Sequence, residues 1–300
     1  MIVGLVGCGH WGANVLRDLR ALGCDVLVVA RSDASVARAR AGGASAIVNG
    51  VEGLRGVAGV VVATTTVNHA DAVEEALGLG VPVFVEKPLC PNLADAARVA
   101  ASAPDRLFVM DKWRYHPAVA VLAAIAREER LGTVHGLRTV RVQWGNRHDD
   151  VDALWILGPH ELAIALEVLG EVPRPAAAVA HREGDRVLAF HALLWAHSRW
   201  HAFEVSERSP VNVRRIELHC DDGVAVLAGG WDEHVSVYRP GPQGDLREQR
   251  LPAEGEAPLL AELRAFVDHL RGGPPPRSSA AEGLAAVEAI ASLRKLAGVE

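Results

Sequence analysis

Residues 1–115 show two alternating patterns of hydrophobic and polar positions. Short runs rich in β-branched residues are separated by longer alanine-rich stretches with helical spacing. The runs are MIVGLV, DVLVVA, GVVVAT, VPVFVE and RLFVM, and the spacing predicts helices that begin near His10, Ala34, Asn68 and Asn92. Strands that alternate with helices indicate βαβ units, so we expect a doubly wound parallel sheet here.

The pattern changes after a connecting helix in PAVAVLAAIAREERLG, which Gly132 ends. One further helix is predicted from about Pro159 to Leu169, because proline is well accommodated in a first helical turn. Extended stretches then follow one another: AAAVAHRE, RVLAFHALLWAH, RWHAFEVSE, VRRIELHCDD, GVAVLAG and HVSVYRP. Their short turns favour a mostly antiparallel sheet. Two late helices are predicted, in APLLAELRAFVDHLRGG and SAAEGLAAVEAIASLRKLAG.

Composition and charge restrict the class of protein. A chain of 300 residues favours two domains, and a hydrophobic fraction of 50% with 23% charged residues is typical of a globular protein. A net charge of −6 argues against a nucleic-acid surface. No apolar run reaches the roughly 20 residues of a membrane span, and the first residues do not resemble a signal peptide. The cysteines, Cys8, Cys24, Cys90 and Cys220, lack CxxC spacing, which favours free thiols in the cytoplasm.

The first strand leads directly into a GxGxxG motif, Gly7 to Gly12. A strand before the motif and a helix after it are the context in which it binds a dinucleotide. Gly7 permits the tight turn, Gly9 lets the backbone approach a pyrophosphate, and Gly12 packs the helix on the strand. The helix N-terminus offers free N–H groups to the phosphates. We count His10 and Trp11, inside the motif, among the cofactor-binding residues.

The end of the second strand bears on the choice of dinucleotide. NAD-binding proteins usually carry an acidic residue there, about 20 residues after the motif. This chain has Arg31 and Ser32 instead, while Asp33 is expected to cap the next helix. Because Arg31 can pair with a 2′-phosphate, NADP(H) is predicted over NAD(H), with a solvated Arg31 as the alternative.

A lysine follows the buried strand VPVFVE, in Glu86-Lys87-Pro88. Ligands of open α/β sheets bind beyond the carboxyl ends of the strands, so Lys87 is expected in the cofactor cleft. Partial desolvation there makes a lysine able to exchange a proton with a substrate oxygen. The alternative is an ordinary surface lysine.

These motifs resemble those of the glucose–fructose oxidoreductase / inositol dehydrogenase / rhizopine-catabolism (Gfo/Idh/MocA) family. The resemblance extends over ATTTVNHADAVEEALGLGVPVFVEKPL, WRYHPAV, LGPHELAIALEVLG and the C-terminal segment. It implies a Rossmann domain at 1–115 and, at 116–300, a substrate-binding and oligomerisation α/β domain with an open, mostly antiparallel sheet. The last helix is expected to pack back towards the first domain.

The resemblance also implies functional residues. Lys87 and His160 correspond to the lysine and histidine that flank the reacting carbon, whereas an isolated His160 would be interpreted as a core histidine. Further cofactor-binding candidates are Thr64, Thr66, His69 and Glu86, and further substrate-binding candidates are Arg114 and Tyr115, with His116 beside them.

The chain departs from the family around His160. Relatives commonly carry aspartate one helical turn before this histidine and again three residues after it, where this chain has Ile156 and Ala163. The acids near it in the sequence are Asp149, Asp150, Asp152 and Glu161, and one alternative is a loop that brings one of the three aspartates back to the site. In a continuous helix Asp152 would lie about 12 Å from His160 along the axis, and Glu161 would face another way. Lys87 therefore does most of the proton transfer, or turnover has been lost.

The histidines His191, His197 and His201 raise the question of a metal site. If the last two shared one strand, they would be about 13 Å apart, too far for a common zinc ion. With Trp195 and Trp200 they are more typical of one face of a sheet, so no metal is predicted.

Together these observations predict a cytoplasmic NADP(H)-dependent oxidoreductase that acts on a sugar, a nucleotide-linked keto-sugar or a cyclitol. A homodimer or homotetramer through the C-terminal sheet is expected, with no nucleic-acid or membrane partner. The alternatives are a non-catalytic dinucleotide-dependent sensor, which Ile156 and Ala163 favour, and an NAD-assisted glycosidase.

Overall fold

The computed structural model describes residues 1–145 and 150–299, which divide into two compact units. The first unit comprises Met1–Lys112 and Ala257–Val287, and the second comprises Trp113–Glu256 and Glu288–Glu300. The first boundary lies close to the predicted residue 115. No helix within the described ranges is both long and apolar enough to cross a membrane.

The first unit is built on a parallel six-stranded sheet in the order β3-β2-β1-β4-β5-β6. Its strands are β1 (Ile2–Val6), β2 (Asp25–Val29), β3 (Ala46–Val48), β4 (Val60–Val62), β5 (Val83–Glu86) and β6 (Leu107–Met110). Its helices include α1 (His10–Ala21), α2 (Asp33–Ala41), α3 (His69–Leu77) and α4 (Leu93–Ser102). Each helix begins within one residue of its predicted start. Strand β3 was not predicted, because a strand of three residues leaves little periodic signal.

A late segment of the chain completes this Rossmann unit. Helix α7 (Pro258–Leu270) contributes Leu263, Phe266 and Val267 to the same core as β1 and β2, and the Phe266 ring stacks on Phe84 with the centroids 5.0 Å apart. The predicted second domain, residues 116–300, includes this helix, whereas the compact units of the structure place it in the first unit. Apolar residues at helical spacing identify a buried face, but they do not say which core covers it. The division between the units falls inside α8 (Ala280–Leu296).

The second unit is an open eight-stranded sheet in the order β14-β13-β12-β11-β7-β10-β9-β8. Its strands are β7 (Val134–Trp144), β8 (Arg174–Glu183), β9 (Arg186–Ala196), β10 (Arg199–Ser206), β11 (Arg208–Cys220), β12 (Gly223–Leu227), β13 (His234–Pro240) and β14 (Leu246–Pro252). Every adjacent pair is antiparallel except β7 and β10, which confirms the predicted fold class. The polar edge strand β14 was not predicted, since it lacks the apolar alternation of a buried strand.

Two helices, α5 (Pro117–Arg127) and α6 (Ala153–Leu169), share a core with this sheet. Residues of β9 alternate accordingly, since Phe190 and Leu194 are fully buried whereas Leu193 and Trp195 are 37% and 44% exposed. One face of the sheet is thus covered, and the other carries exposed apolar side chains.

Candidate active site

The phosphate-binding turn lies between β1 and α1. Gly7 has φ +93°, and a Cβ built on it would lie 2.6 Å from the Ala63 carbonyl oxygen. A Cβ on Gly12 would lie 2.3 Å from the Gly7 carbonyl oxygen. Both positions therefore exclude a side chain for reasons internal to the fold.

Gly9 has a different environment. Its φ of −70° suits any residue, and a Cβ built there would meet no atom within 4 Å. Gly9 is the N-cap of α1 and supplies no side chain to the first N–H groups, and the first turn carries no acidic residue. The open helix N-terminus fits a pyrophosphate, which the free N–H groups and the positive end of the helix dipole would hold.

The two motif residues beside Gly9 differ in their surroundings. His10 is exposed, whereas Trp11 is half-buried. The Trp11 indole N–H donates a short hydrogen bond to Glu86 Oε1, and the Lys112 ammonium lies 4.2 Å from the centroid of the indole ring. The Trp11 side chain thus contacts residues of the first unit, Glu86 and Lys112.

Arg31 follows β2, as the sequence predicted, and its side chain is 77% exposed. Its ionic contact is with Glu75 at 4.0 Å, the outer limit of an ion pair. Arg31 is one of the lining residues of a surface groove of about 770 Å³, with Asn49, Gly50, Val51, Glu52, Arg55, Gly56, Glu75, Gly78 and Leu79. The guanidinium therefore remains accessible to a ligand.

The cap of α2 corrects one prediction. Ser32, and not Asp33, is the N-cap, and its hydroxyl accepts a hydrogen bond from the Ser35 N–H at 3.2 Å. Ser35 Oγ accepts in return from the Ser32 N–H at 3.1 Å, which completes a capping box. Serine and aspartate are both strong N-caps, so residue type alone did not distinguish them.

Three predicted cofactor residues follow β4. Thr64 is half-buried, and its hydroxyl donates to the Thr65 carbonyl at 3.3 Å, while Thr66 is buried. His69 is buried, and its Nδ1 lies 2.8 Å from the carbonyl oxygen of Pro88. Because a carbonyl only accepts, Nδ1 carries the proton, and His69 supports the turn that follows Lys87.

Lys87 lies at the carboxyl end of β5, two strands from the glycine motif in the sheet, and is half-buried. Glu86 precedes it and is 7% exposed. Glu86 Oε2 accepts the Lys87 backbone N–H at 3.1 Å. Burial raises the pKa of the Glu86 carboxyl, while the charges of Lys87 and Lys112 oppose the rise.

A second carboxyl belongs to this region and was not predicted. Glu262 on α7 is fully buried, and neither of its oxygens has a hydrogen-bond partner among the described residues. Burial, reinforced by the negative charge of Glu86, raises the pKa of Glu262 well above its ordinary value. A signal was available, because Glu262 shares the helical stripe of Leu259, Leu263 and Phe266.

In the second unit, His160 is not at the head of a helix as predicted. Helix α6 begins at Ala153, so Pro159 and His160 lie inside it. The helix starts early because Asp152 caps it, accepting from the N–H groups of Leu154 at 3.1 Å and Trp155 at 3.3 Å. His160 is half-buried, between Ile156 and Ala163, which are 6% and 4% exposed.

The acids near His160 in the sequence have other partners. The carboxylate of Asp152 receives a hydrogen bond from Arg294, and Glu161 forms a buried ion pair with Arg141. Asp149 lies outside the described residues. Asp152 and Glu161 are thus each paired with an arginine.

The candidates Arg114, Tyr115 and His116 lie at the start of the second unit. Arg114 is buried, and its Nε donates to Glu167 Oε2 at 3.0 Å, while Tyr115 is half-buried. His116 caps α5 by accepting the Ala118 N–H, and its Nε2 donates to the Gly230 carbonyl at 2.9 Å. These bonds give His116 a structural role.

The strand that His197 and His201 were assumed to share is interrupted. His197 occupies the turn between β9 and β10 with φ 54°, and it contacts Glu171, whereas His201 lies in β10 beside Thr139. Within residues 1–145 and 150–299, no three His, Cys, Asp or Glu side chains are placed to hold a metal ion. The four cysteines are free, as predicted, and all four are buried.

An open glycine turn at the switch point of a parallel sheet, with a lysine at the end of a strand two positions along the sheet, is typical of a dinucleotide-binding Rossmann unit. Residues 1–109 match the model of the oxidoreductase family with an NAD-binding Rossmann fold. This match confirms, over these residues, the family predicted from the sequence.

Curated relatives match parts of the chain. D-apiose dehydrogenase of Paraburkholderia graminis is 31% identical over 198 residues, which cover 59% of this chain and 52% of that protein. A myo-inositol dehydrogenase of Streptomyces leeuwenhoekii is 36% identical over 149 residues, 47% of this chain and 45% of that protein. The aligned parts thus span about half the length of these relatives.

The fold has counterparts over nearly the whole chain. UDP-N-acetylglucosamine 3-dehydrogenase from Acidithiobacillus ferrooxidans superimposes with a TM-score of 0.85 and 22% identity, covering 99% of this chain and 97% of that one. At this identity the similarity concerns the fold.

Proposed function

We propose that this protein is a nicotinamide-dinucleotide-dependent oxidoreductase that acts on a polyhydroxylated substrate, a sugar, a nucleotide-linked keto-sugar or a cyclitol. The observation that carries the proposal is the open helix N-terminus at Gly9, in the same sheet as the half-buried Lys87 at a strand end. A phosphate site and a titratable amine at the carboxyl edge of one sheet suit cofactor binding and proton transfer.

The names of the relatives support the substrate class. The matched proteins are named as dehydrogenases of D-apiose and of inositol, which are both polyhydroxylated. Oxidation of such a substrate removes a hydride from one carbon and a proton from the hydroxyl group on that same carbon.

Lys87 is assigned the proton transfer. A nicotinamide dinucleotide supplies hydride transfer when bound. The Lys87 amine accepts the hydroxyl proton during oxidation, and its ammonium donates a proton to the carbonyl oxygen during reduction. Partial burial limits the water around the amine, and the His69 bond to Pro88 holds the turn that follows it. His160 is assigned a second contact with the substrate oxygen, on the resemblance to the family.

Loss of the Lys87 amine is expected to abolish turnover. Purified Lys87→Met should oxidise inositols, aldoses or nucleotide-linked sugars at least about 100-fold more slowly than the wild type, with KM little changed, since acid–base catalysis contributes this much. NAD(P)H absorbance measures both rates. Lys295→Met is the matched control, because Lys295 is exposed in the second unit. Equal rates in wild type and Lys87→Met would contradict the assignment.

The preferred dinucleotide is proposed to be NADP(H). The accessible Arg31 guanidinium supports this, because a charge-assisted bond to a 2′-phosphate is available only in NADP(H). Arg31→Ala is expected to weaken NADPH binding by roughly 10-fold or more and to leave NADH binding unchanged. Fluorescence titration of the wild type and of Arg31→Ala with NADPH and with NADH measures this. Equal affinity of the wild type for NADPH and NADH would overturn the preference.

A second candidate function is a dinucleotide-dependent sensor without turnover. The observation that favours it is the burial of Ile156 and Ala163 beside His160, since neither side chain carries the carboxylate that the related enzymes have at these positions. Dinucleotide binding in a protein that turns over none of the substrates above would support the sensor.

Self-association through the second unit is part of the proposal. The face of the sheet away from α5 and α6 exposes Val179 at 69%, Leu193 at 37% and Trp195 at 44%. Apolar side chains clustered on one face are typical of a subunit interface. The four free thiols suit the reducing cytoplasm.

A further inference from the structure

A chain of contacts connects the phosphate-binding turn to Lys87. The Trp11 indole N–H donates to one oxygen of Glu86, and the other oxygen accepts the Lys87 backbone N–H at 3.1 Å. One buried carboxylate therefore joins the first turn of α1 to the end of β5, across 75 positions of sequence. The bond direction is unambiguous, because an indole N–H only donates.

The charges around Glu86 oppose one another. The Lys112 ammonium lies 4.2 Å from the Trp11 ring centroid and, together with Lys87, favours the charged form of Glu86. The buried Glu262 of α7 acts electrostatically on the same cluster, as does Asp111 next to Lys112 in the chain. Since burial already disfavours a charged Glu86, each donated hydrogen bond matters to its ionisation.

We propose that Trp11 and Glu86 are positioning residues for Lys87: the indole N–H keeps Glu86 charged and in place, and Glu86 in turn holds the Lys87 backbone and favours its ammonium form. The proposal rests on the role assigned to Lys87 above. Trp11 thus acts on the proton-transferring group through Glu86, in addition to any contact of its backbone with the cofactor.

The physical consequence can be derived for Trp11→Phe. Phenylalanine keeps an aromatic ring under Lys112 but has no N–H, so Glu86 loses the hydrogen bond that favours its charged form. A Glu86 that is more often neutral attracts the Lys87 ammonium less. Lys87 then loses its proton at lower pH.

Chemical labelling measures this effect without a substrate. The lysines of the chain are Lys87, Lys112 and Lys295, and acetic anhydride reacts with the neutral amine, so mass spectrometry gives the pH midpoint of acetylation for each one. In Trp11→Phe the midpoint of Lys87 is expected to fall by about one pH unit, as the loss of a neighbouring charge typically causes. The midpoint of the exposed Lys295 should not change.

Two further variants make the test specific. Glu86→Gln can still accept the indole N–H but carries no charge, so it should lower the Lys87 midpoint even if Trp11→Phe fails to fold. Adding Trp11→Phe to Glu86→Gln should then cause no additional fall, because the indole acts through the carboxylate. Trp231→Phe, at a tryptophan that is 75% exposed, is the matched control.

An unchanged Lys87 midpoint in Glu86→Gln, or an additive effect in the double variant, would overturn the proposal. Both results are independent of turnover, so failure of this inference and failure of the proposed function can be told apart. A Lys87 that stays unlabelled at every pH, in protein that binds dinucleotide normally, would also contradict the proposal. The amine would then be inaccessible and could not transfer a proton to a substrate.

Discussion

Replacing Gly12 by alanine is expected to destabilise the Rossmann unit, whereas the same change at Gly9 should leave the fold intact and remove dinucleotide binding. A Cβ on Gly12 would lie 2.3 Å from the Gly7 carbonyl oxygen, so the turn or the helix must move. Alanine would gain about 1 kcal/mol in helix propensity over glycine. Overpacking against rigid backbone costs about 3 kcal/mol, which is more than this gain.

The Gly9→Ala variant separates dinucleotide binding from folding. The added methyl group meets no protein atom within 4 Å, and a φ of −70° suits alanine. It would stand where the backbone must approach a pyrophosphate, so the affinity for dinucleotide should fall at least about 100-fold.

Thermal unfolding and nicotinamide fluorescence titration check both halves of this prediction. Gly9→Ala should unfold at the wild-type temperature, and Gly12→Ala several degrees lower. If Gly9→Ala bound dinucleotide with the wild-type affinity, the glycine turn would not be part of the cofactor site. If Gly12→Ala had the wild-type stability, the packing argument would be wrong.

The second unit is expected to lose stability in acid because of His201. This side chain is fully buried in β10, and burial lowers its pKa to about 3. The folded protein keeps His201 neutral, whereas the unfolded chain binds a proton below about pH 6.5. The stabilisation is therefore complete above pH 6.5 and is lost as the pH falls towards 3, at about 1.4 kcal/mol per pH unit.

The measurement compares variants, since other groups also titrate. His201→Gln cannot take up a proton and can still hydrogen-bond to Thr139, whose hydroxyl lies 3.1 Å from His201 Nε2. Between pH 6.5 and 4 its urea-unfolding free energy should fall less steeply than that of the wild type. The exposed His191→Gln is the control and should follow the wild type. Parallel curves for all three proteins would show that His201 does not govern the acid sensitivity.

Most elements of the first unit could be predicted because their signals are local. Buried parallel strands appear as β-branched runs, and Gly7 and Gly12 stand where the backbone allows no side chain. Predictions failed where two local signals competed. Pro159 suggested a helix start, but Asp152 caps the helix seven residues earlier, and Ser32 caps α2 next to an equally suitable Asp33.

The candidate site was likewise predictable where its signals are local and not where its residues are far apart in the chain. The positions of the glycine motif, Arg31 and Lys87 at strand ends follow from sequence alone, because a βαβ unit always brings the carboxyl ends of its strands to one edge. The link from Trp11 to Glu86 could not be predicted, because it joins residues 75 positions apart, whereas the burial of Glu262 had a signal in the apolar stripe of its helix.

By itself, the sequence determined the family, the fold class and the strand ends that carry the candidate groups, since these depend on residue type and period over a few neighbouring positions. Only the tertiary structure decided which core receives α7, which acids neutralise Arg141 and Arg294, and that Trp11 reaches Glu86. Such contacts join residues far apart in the chain. Their existence depends on the packing of whole elements, which no local pattern records.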